Sequence, residues 1–170
     1  LNPHNAACLS DQAKLHPLAP FIDPAPFVAA KPERAGFPLD PATPWIVTAA
    51  MMRQDAKLES YRLLAAALGR IEGRRWSLLV IGDGPARAEV EAAFAGFAPG
   101  RVHFAGVMKP AALAAALAAG DLYAWPAINE AYGLSLLEAQ AAGLPVVAGE
   151  TGGVASIVAA GQSGLLTPVG

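Results

Sequence analysis

Short apolar runs alternating with amphipathic stretches constrain this chain more than any other feature. Trp45-Ile46-Val47-Thr48, Ser77-Leu78-Leu79-Val80-Ile81, Arg101-Val102-His103-Phe104, Leu122-Tyr123-Ala124-Trp125 and Pro145-Val146-Val147-Ala148 each have the length and apolar density of a strand. Gly164-Leu165-Leu166-Thr167 makes a sixth. From Lys57 onward, Leu58, Tyr61, Leu64, Ala65 and Leu68 recur at helical spacing. Val90, Phe94 and Phe97 mark a second helix, residues 110–119 an alanine-rich third, and residues 131–142 a fourth stopped by Gly143. Strands that are apolar throughout need both faces covered, so their alternation with helices predicts a parallel sheet between helical layers. That is a doubly wound, Rossmann-like α/β domain. Its ligands bind beyond the carboxyl ends of the strands, which directs attention to the loops after Ala50, Ile81, Phe104, Trp125 and Ala148.

Composition narrows the class. Hydrophobic residues are 54% of the 170 and charged residues 15%, yet no run approaches the ~20 apolar residues of a membrane helix. Residues 111–120 come nearest and end at Asp121. A soluble protein without a transmembrane segment is expected. The net charge of -2 gives no general attraction to nucleic acid. A single cysteine, Cys8, excludes an internal disulfide and suits a reducing compartment. Leu1-Asn2-Pro3-His4 has neither the basic start nor the apolar core of a signal peptide. The sequence opens without methionine, and we read it as a piece of a longer chain. Eight prolines between residues 17 and 44 predict an extended connector, docked through Leu18, Phe21, Ile22 and Phe27. The domain proper is expected over residues 45–170, with residues 1–44 as connector and end of a preceding half.

The loop after the fourth strand, Pro126-Ala127-Ile128-Asn129-Glu130-Ala131-Tyr132-Gly133-Leu134, is the richest in chemistry. A helix starting near Ala131 offers free backbone N–H groups and a positive dipole end, and Gly133 lets a phosphate approach that backbone. Glu130 alone reads equally as a helix-capping carboxylate. Glu138 lies too far inside the helix to cap it and interrupts an otherwise apolar stretch, which favours a functional carboxylate. Eight positions apart on a stretch taken as helix, the two carboxylates lie ~12 Å from each other. That is wider than a glycosidase pair. A ligand with sugar at one end, phosphates between and ribose at the other fits better.

Arg53 and Lys57 follow the first strand and are placed to face those phosphates, Arg as a fork and Lys as a point charge. Gly82-Asp83-Gly84 lacks the third glycine of a dinucleotide fingerprint, since Arg87 stands there, so Gly82 and Gly84 read as a tight turn facing the ligand. His4, His16 and His103 have no metal-ligand spacing, and no Asp-x-Asp occurs, so neither metal nor other cofactor is expected.

From Trp45 onward the chain resembles the family 4 (group 1) glycosyltransferases of the GT-B fold. The resemblance rests on Glu130…Glu138, on Ala141-Ala142-Gly143-Leu144-Pro145-Val146-Val147, on Gly152-Gly153, and on Gly164-Leu165-Leu166. Ile81-Gly82-Asp83-Gly84-Pro85 and Val102-His103-Phe104-Ala105-Gly106 are similar to the family as well, and Pro20-Phe21-Ile22-Asp23 to its interdomain connector. Arg53 and Lys57 are four apart and Leu58 follows, where the family has five and a glycine. The resemblance implies one half of a two-domain enzyme that transfers a hexosyl group from a nucleoside diphosphate sugar, with retention and without an essential metal. It implies Glu130 on the donor sugar, the backbone of Gly133 and Leu134 on phosphate, and Glu138 on the ribose. Arg53 and Lys57 hold the diphosphate in this reading, Val107 and Met108 flank the base, and Tyr132 belongs with the donor-binding residues. A partner amino-terminal domain of the same protein supplies the acceptor site, and a cytoplasmic enzyme, peripheral at the inner membrane face when complete, is expected. A catalytically silent sugar-nucleotide module and a sugar-nucleotide epimerase remain open alternatives.

Overall fold

A computed structural model describes residues 18–169 together with Cys8 and His16. His4 and Pro17 of the sequence analysis lie outside the described residues. Six strands form one parallel sheet: β1 (Trp45–Ala49), β2 (Ser77–Ile81), β3 (Val102–Gly106), β4 (Leu122–Trp125), β5 (Val146–Gly149) and β6 (Gly164–Thr167). Their order is β3-β2-β1-β4-β5-β6. This is the doubly wound topology that the alternation predicts, and it reverses direction between β1 and β4.

Among the described residues five α-helices flank the sheet: α1 (Ala25–Val28), α2 (Ala56–Gly69), α3 (Arg87–Phe94), α4 (Pro110–Ala118) and α5 (Leu134–Ala141). α2 and α3 pack on each other, while α1, α4 and α5 form a second group. The carboxylate of Asp55 caps α2 by accepting the Lys57 N–H at 2.8 Å. The predicted stripe Leu58, Tyr61, Leu64, Ala65 and Leu68 is buried. α3 stops at Phe94, and Phe97 lies in the turn beyond, edge-on to Trp76 at 5.2 Å.

Two expectations need correction. α5 begins at Leu134 rather than near Ala131, because Gly133 takes φ +75° as its N-cap. A helix cannot propagate back through a left-handed residue. Residues 24–29, expected to be extended, contain the helical turn α1, with a proline in its first positions, where proline's missing N–H costs nothing. Of the four apolar residues expected to dock this segment, Ile22 and Phe27 are half-buried and Leu18 and Phe21 are exposed. The segment is anchored by Phe27, which packs against the core, and by Arg34. Its guanidinium donates to Asp121 at 2.7 Å and to the Ala119 carbonyl at 2.9 Å, and lies over the Trp45 ring.

The cover of the sheet is uneven. β2 is buried at every position, whereas β6 alternates between half-buried and exposed. Leu122, Ala124 and Val147 face an apolar groove of about 560 Å³, bordered by Leu63, Ala67 and Ile71. His103 is half-buried against Phe37, and burial lowers its pKa. Among the described residues no helix is long and apolar enough to cross a membrane.

Candidate functional site

At the reversal point β1 keeps its ladder with β2 as far as Ala49, but leaves β4 after Val47 and Tyr123. Alternate residues of a central parallel strand bond to opposite neighbours, and Ala50 already bonds to Ile81 of β2. The N–H and C=O of Ala49 therefore lose their strand partner where β4 diverges. One side-chain hydroxyl replaces it: Tyr123 Oη accepts from Ala49 N at 3.1 Å and donates to Ala49 O at 3.0 Å. Burial, with smaller contributions from the Glu138 and Glu130 carboxylates, pushes the Tyr123 pKa up to about 12. The phenol therefore remains a neutral donor. The two strands thus part above a satisfied backbone, at the reversal point where doubly wound sheets have their ligand crevice.

Each bank of the crevice is a pair of loops fastened together. After β1 and β2, Met52 N donates to Asp83 O and Ala86 N to Met52 O, both at 2.9 Å. A Cβ on Gly82 or Gly84 would overlap the carbonyl oxygens of Ala50 and Met52, so both glycines are required by neighbouring backbone within the protein itself. Asp83 closes the turn by accepting from Gly84 N at 2.7 Å and pairing with Arg87 at 2.9 Å.

On the other bank, after β4 and β5, Gly153 N donates to Ala131 O at 2.9 Å, and Gly152 has no room for a Cβ beside Glu130 O. Thr151 Oγ1 donates to the Ala127 carbonyl. Ala127 and Asn129 adopt φ of +57° and +50°. Asn tolerates that region, but a buried alanine there carries strain of order 1–2 kcal/mol. This strained loop presents Glu130.

Side chains of α2 cross the crevice to meet the loop. Lys57 Nζ pairs with Glu130 Oε2, and the two side chains are 16% and 14% exposed. The indole N–H of Trp125 donates to the same oxygen at 3.2 Å, and Lys57 Nζ lies 5.4 Å from the Trp125 ring centroid. One turn further along α2, Ser60 Oγ accepts from Ile128 N at 3.0 Å. The structure thus joins Lys57 to Glu130, 73 positions apart. Arg53 stands elsewhere: its Nε pairs with Asp55 Oδ2 at 3.0 Å and its side chain is half exposed. Glu138 is half-buried on α5, and burial raises its pKa. Because Glu130 lies in the loop before Gly133, the ~12 Å helical spacing of the two carboxylates does not apply.

Leu134 and Val107 are exposed at 50% and 79%, while Tyr132 and Met108 are half-buried, Tyr132 lying against Gly153. The first N–H groups of α5, at Leu134 and Ser135, follow the left-handed Gly133. Sequence reasoning missed Trp125, Tyr123 and Ser60. Ser60 did leave a trace, as a polar residue inside the buried stripe of α2, three positions after Lys57. Among the described residues no three His, Cys, Asp or Glu side chains gather as a metal ion would require.

Comparison with known proteins bears on the family and the fold. Residues 43–170 match the family model described as glycosyl transferases group 1. The chain is 32% identical over 125 residues to the sulfoquinovosyl transferase SQD2 of Arabidopsis thaliana, covering 74% of this chain and 23% of that protein. It is 34% identical over 175 residues to the D-inositol 3-phosphate glycosyltransferase of Jonesia denitrificans, covering 94% of this chain and 41% of the relative. The chain thus spans less than half the length of these relatives. Among solved structures it resembles the sucrose-phosphate synthase of Thermosynechococcus elongatus, with a TM-score of 0.69 and 26% identity over 87% of this chain and 38% of that one. The Anabaena HepE structure in complex with UDP and glucose shares the fold, with a TM-score of 0.66 and 22% identity over 86% of this chain and 41% of that one.

Proposed function

Because the chain belongs to the group 1 glycosyltransferases, we propose that it is the donor-binding half of a retaining GT-B enzyme. It grips a nucleoside diphosphate sugar while another half of the protein holds the acceptor. The observation that carries this reading is the meeting of Lys57, Trp125 and Glu130 over the crevice between β1 and β4, in the loop that leads into α5. The free N–H groups after Gly133 and the positive end of α5 suit a diphosphate. Lys57 adds a positive charge that strengthens as the leaving group gains negative charge. Arg53 joins it by exchanging Asp55 for phosphate. Glu130 takes hydroxyls of the transferred sugar and Glu138 those of the ribose, with Val107, Met108 and Tyr132 around the nucleoside.

The chain by itself transfers no sugar in this reading. Holding the acceptor hydroxyl in near-attack geometry contributes ~7–11 kcal/mol, and that surface belongs to the acceptor half. Calorimetry in EDTA tests the donor site with UDP, GDP, ADP and their glucose or mannose conjugates. Binding without divalent metal is expected, and an absolute requirement for magnesium or manganese overturns the metal-independent reading. Glu138→Ala weakens the nucleoside diphosphate itself by ~1–3 kcal/mol. Glu130→Ala leaves the diphosphate alone and weakens only the intact sugar nucleotide. Equal effects of both variants on both ligands refute the assignment of the two carboxylates.

A further inference from the structure

The three tryptophans of the chain are all buried or nearly so, and a buried indole N–H needs an acceptor. Trp45 donates to the Asp40 carbonyl at 2.9 Å and Trp76 to the Ile71 carbonyl at 3.0 Å, each a backbone group five positions away. Trp125 also reaches five positions along the chain, but its acceptor is the Glu130 carboxylate. A cation near the ring does not distinguish it, because Arg34 lies over Trp45 and Arg101 over Trp76. The acceptor does.

We propose that Trp125 is a positioning residue for Glu130: its indole N–H holds the carboxylate in place when Lys57 turns to the donor's diphosphate. This rests on the reading of Glu130 as the sugar-contacting residue. Lys57 and Trp125 share Oε2 of Glu130. Lys57 is a flexible stem with three rotatable donors, and a diphosphate is a stronger partner for it than one carboxylate. Once the lysine leaves, Glu130 is a largely buried anion on a strained loop, and such a group needs a fixed donor. Trp125 is 1% exposed and edge-on to Tyr61 at 5.0 Å, so its N–H cannot follow the lysine. Both contacts fall on one oxygen, which leaves the lone pairs of Oε1 for a sugar hydroxyl.

The indole ¹⁵N–¹H resonance of Trp125, assigned with Trp125→Phe, reports this bond without any ligand. Glu130→Gln is expected to move it, and Lys57→Met to leave it near its wild-type position. A resonance indifferent to Glu130→Gln, or lost with Lys57→Met, overturns the proposal. Trp125→Phe keeps the ring and removes only the donor. Titrations with UDP against UDP-glucose, and GDP against GDP-mannose, are expected to show little change for the diphosphate and ~10-fold weaker binding of the sugar conjugate. Equal weakening of both ligands makes Trp125 merely structural and overturns the proposal. If Glu130→Gln does not separate the two ligands, or no nucleotide binds, the underlying reading of Glu130 fails. The indole resonance still decides whether Trp125 holds that carboxylate.

Discussion

The loop pair after β1 and β2 and the loop pair after β4 and β5 form opposite banks of one crevice, and they are fastened in different ways. The first is closed by backbone bonds from Met52 to Asp83 and from Ala86 to Met52, and its left-handed positions, Gly82 and Gly84, are glycines. The second also has a backbone bond, from Gly153 to Ala131, but it puts the non-glycine residues Ala127 and Asn129 at positive φ and adds side-chain straps, with Thr151 holding Ala127 O and Ser60 holding Ile128 N. The first bank is frame. On the second, packing keeps a costly backbone in place, and the strain sits beside Glu130. Strain of this kind persists only where surroundings over-determine it, and it concentrates where a ligand acts.

The largest effect is expected where both banks depend on absent side chains. Gly152→Ala forces a Cβ onto Glu130 O, and Gly82→Ala forces one onto Ala50 O. Each should cost about 3 kcal/mol, because rigid backbone must move. Denaturant unfolding measures both. Tolerance of Gly152→Ala alone would show that the strained bank yields, which breaks the contrast drawn above.

Tyr123→Phe comes next. It strips Ala49 of both partners on the side facing β4, at a cost of about 2 kcal/mol for the buried groups left unsatisfied. Amide exchange at Ala49 should quicken with the loss of stability. Unchanged exchange would mean that the banks do not depend on this hydroxyl to stay apart. Ser60→Ala removes one strap from the second bank only, with a net cost of about 1 kcal/mol, since alanine also suits the helix better. Its affinity for a sugar nucleotide should fall more than its affinity for the matching diphosphate. Equal loss would place the strap outside the sugar site.

The smallest effect concerns pH. Burial raises the Glu138 pKa, so the folded chain holds that proton more tightly than the unfolded one. Stability relative to Glu138→Gln should therefore fall as pH rises from the ordinary carboxylate range, about 4.3, through the raised value. Nucleotide affinity should move the other way, strengthening over the same window as the carboxylate forms. A flat difference in unfolding free energy between wild type and Glu138→Gln across that window removes Glu138 as a buried acid.

The sequence by itself determined the order of elements, the six strand runs, the stripe on α2, the loop that holds Glu130 and the helix start that carries Lys57. Those features are periodic or local. An apolar run has the same length in any context, and Asp55 caps whatever helix follows it. Tertiary structure decided the rest. The delayed start of α5 depends on Gly133 turning left-handed while Gly152 and Gly153 press on the chain before it. The union of Lys57, Trp125 and Glu130 exists because β4 lies beside β1 across the reversal of the sheet, a neighbour that no spacing along the chain encodes. The open face beside Val147 was equally hidden, since an apolar strand reads the same whether one of its faces is covered or both are.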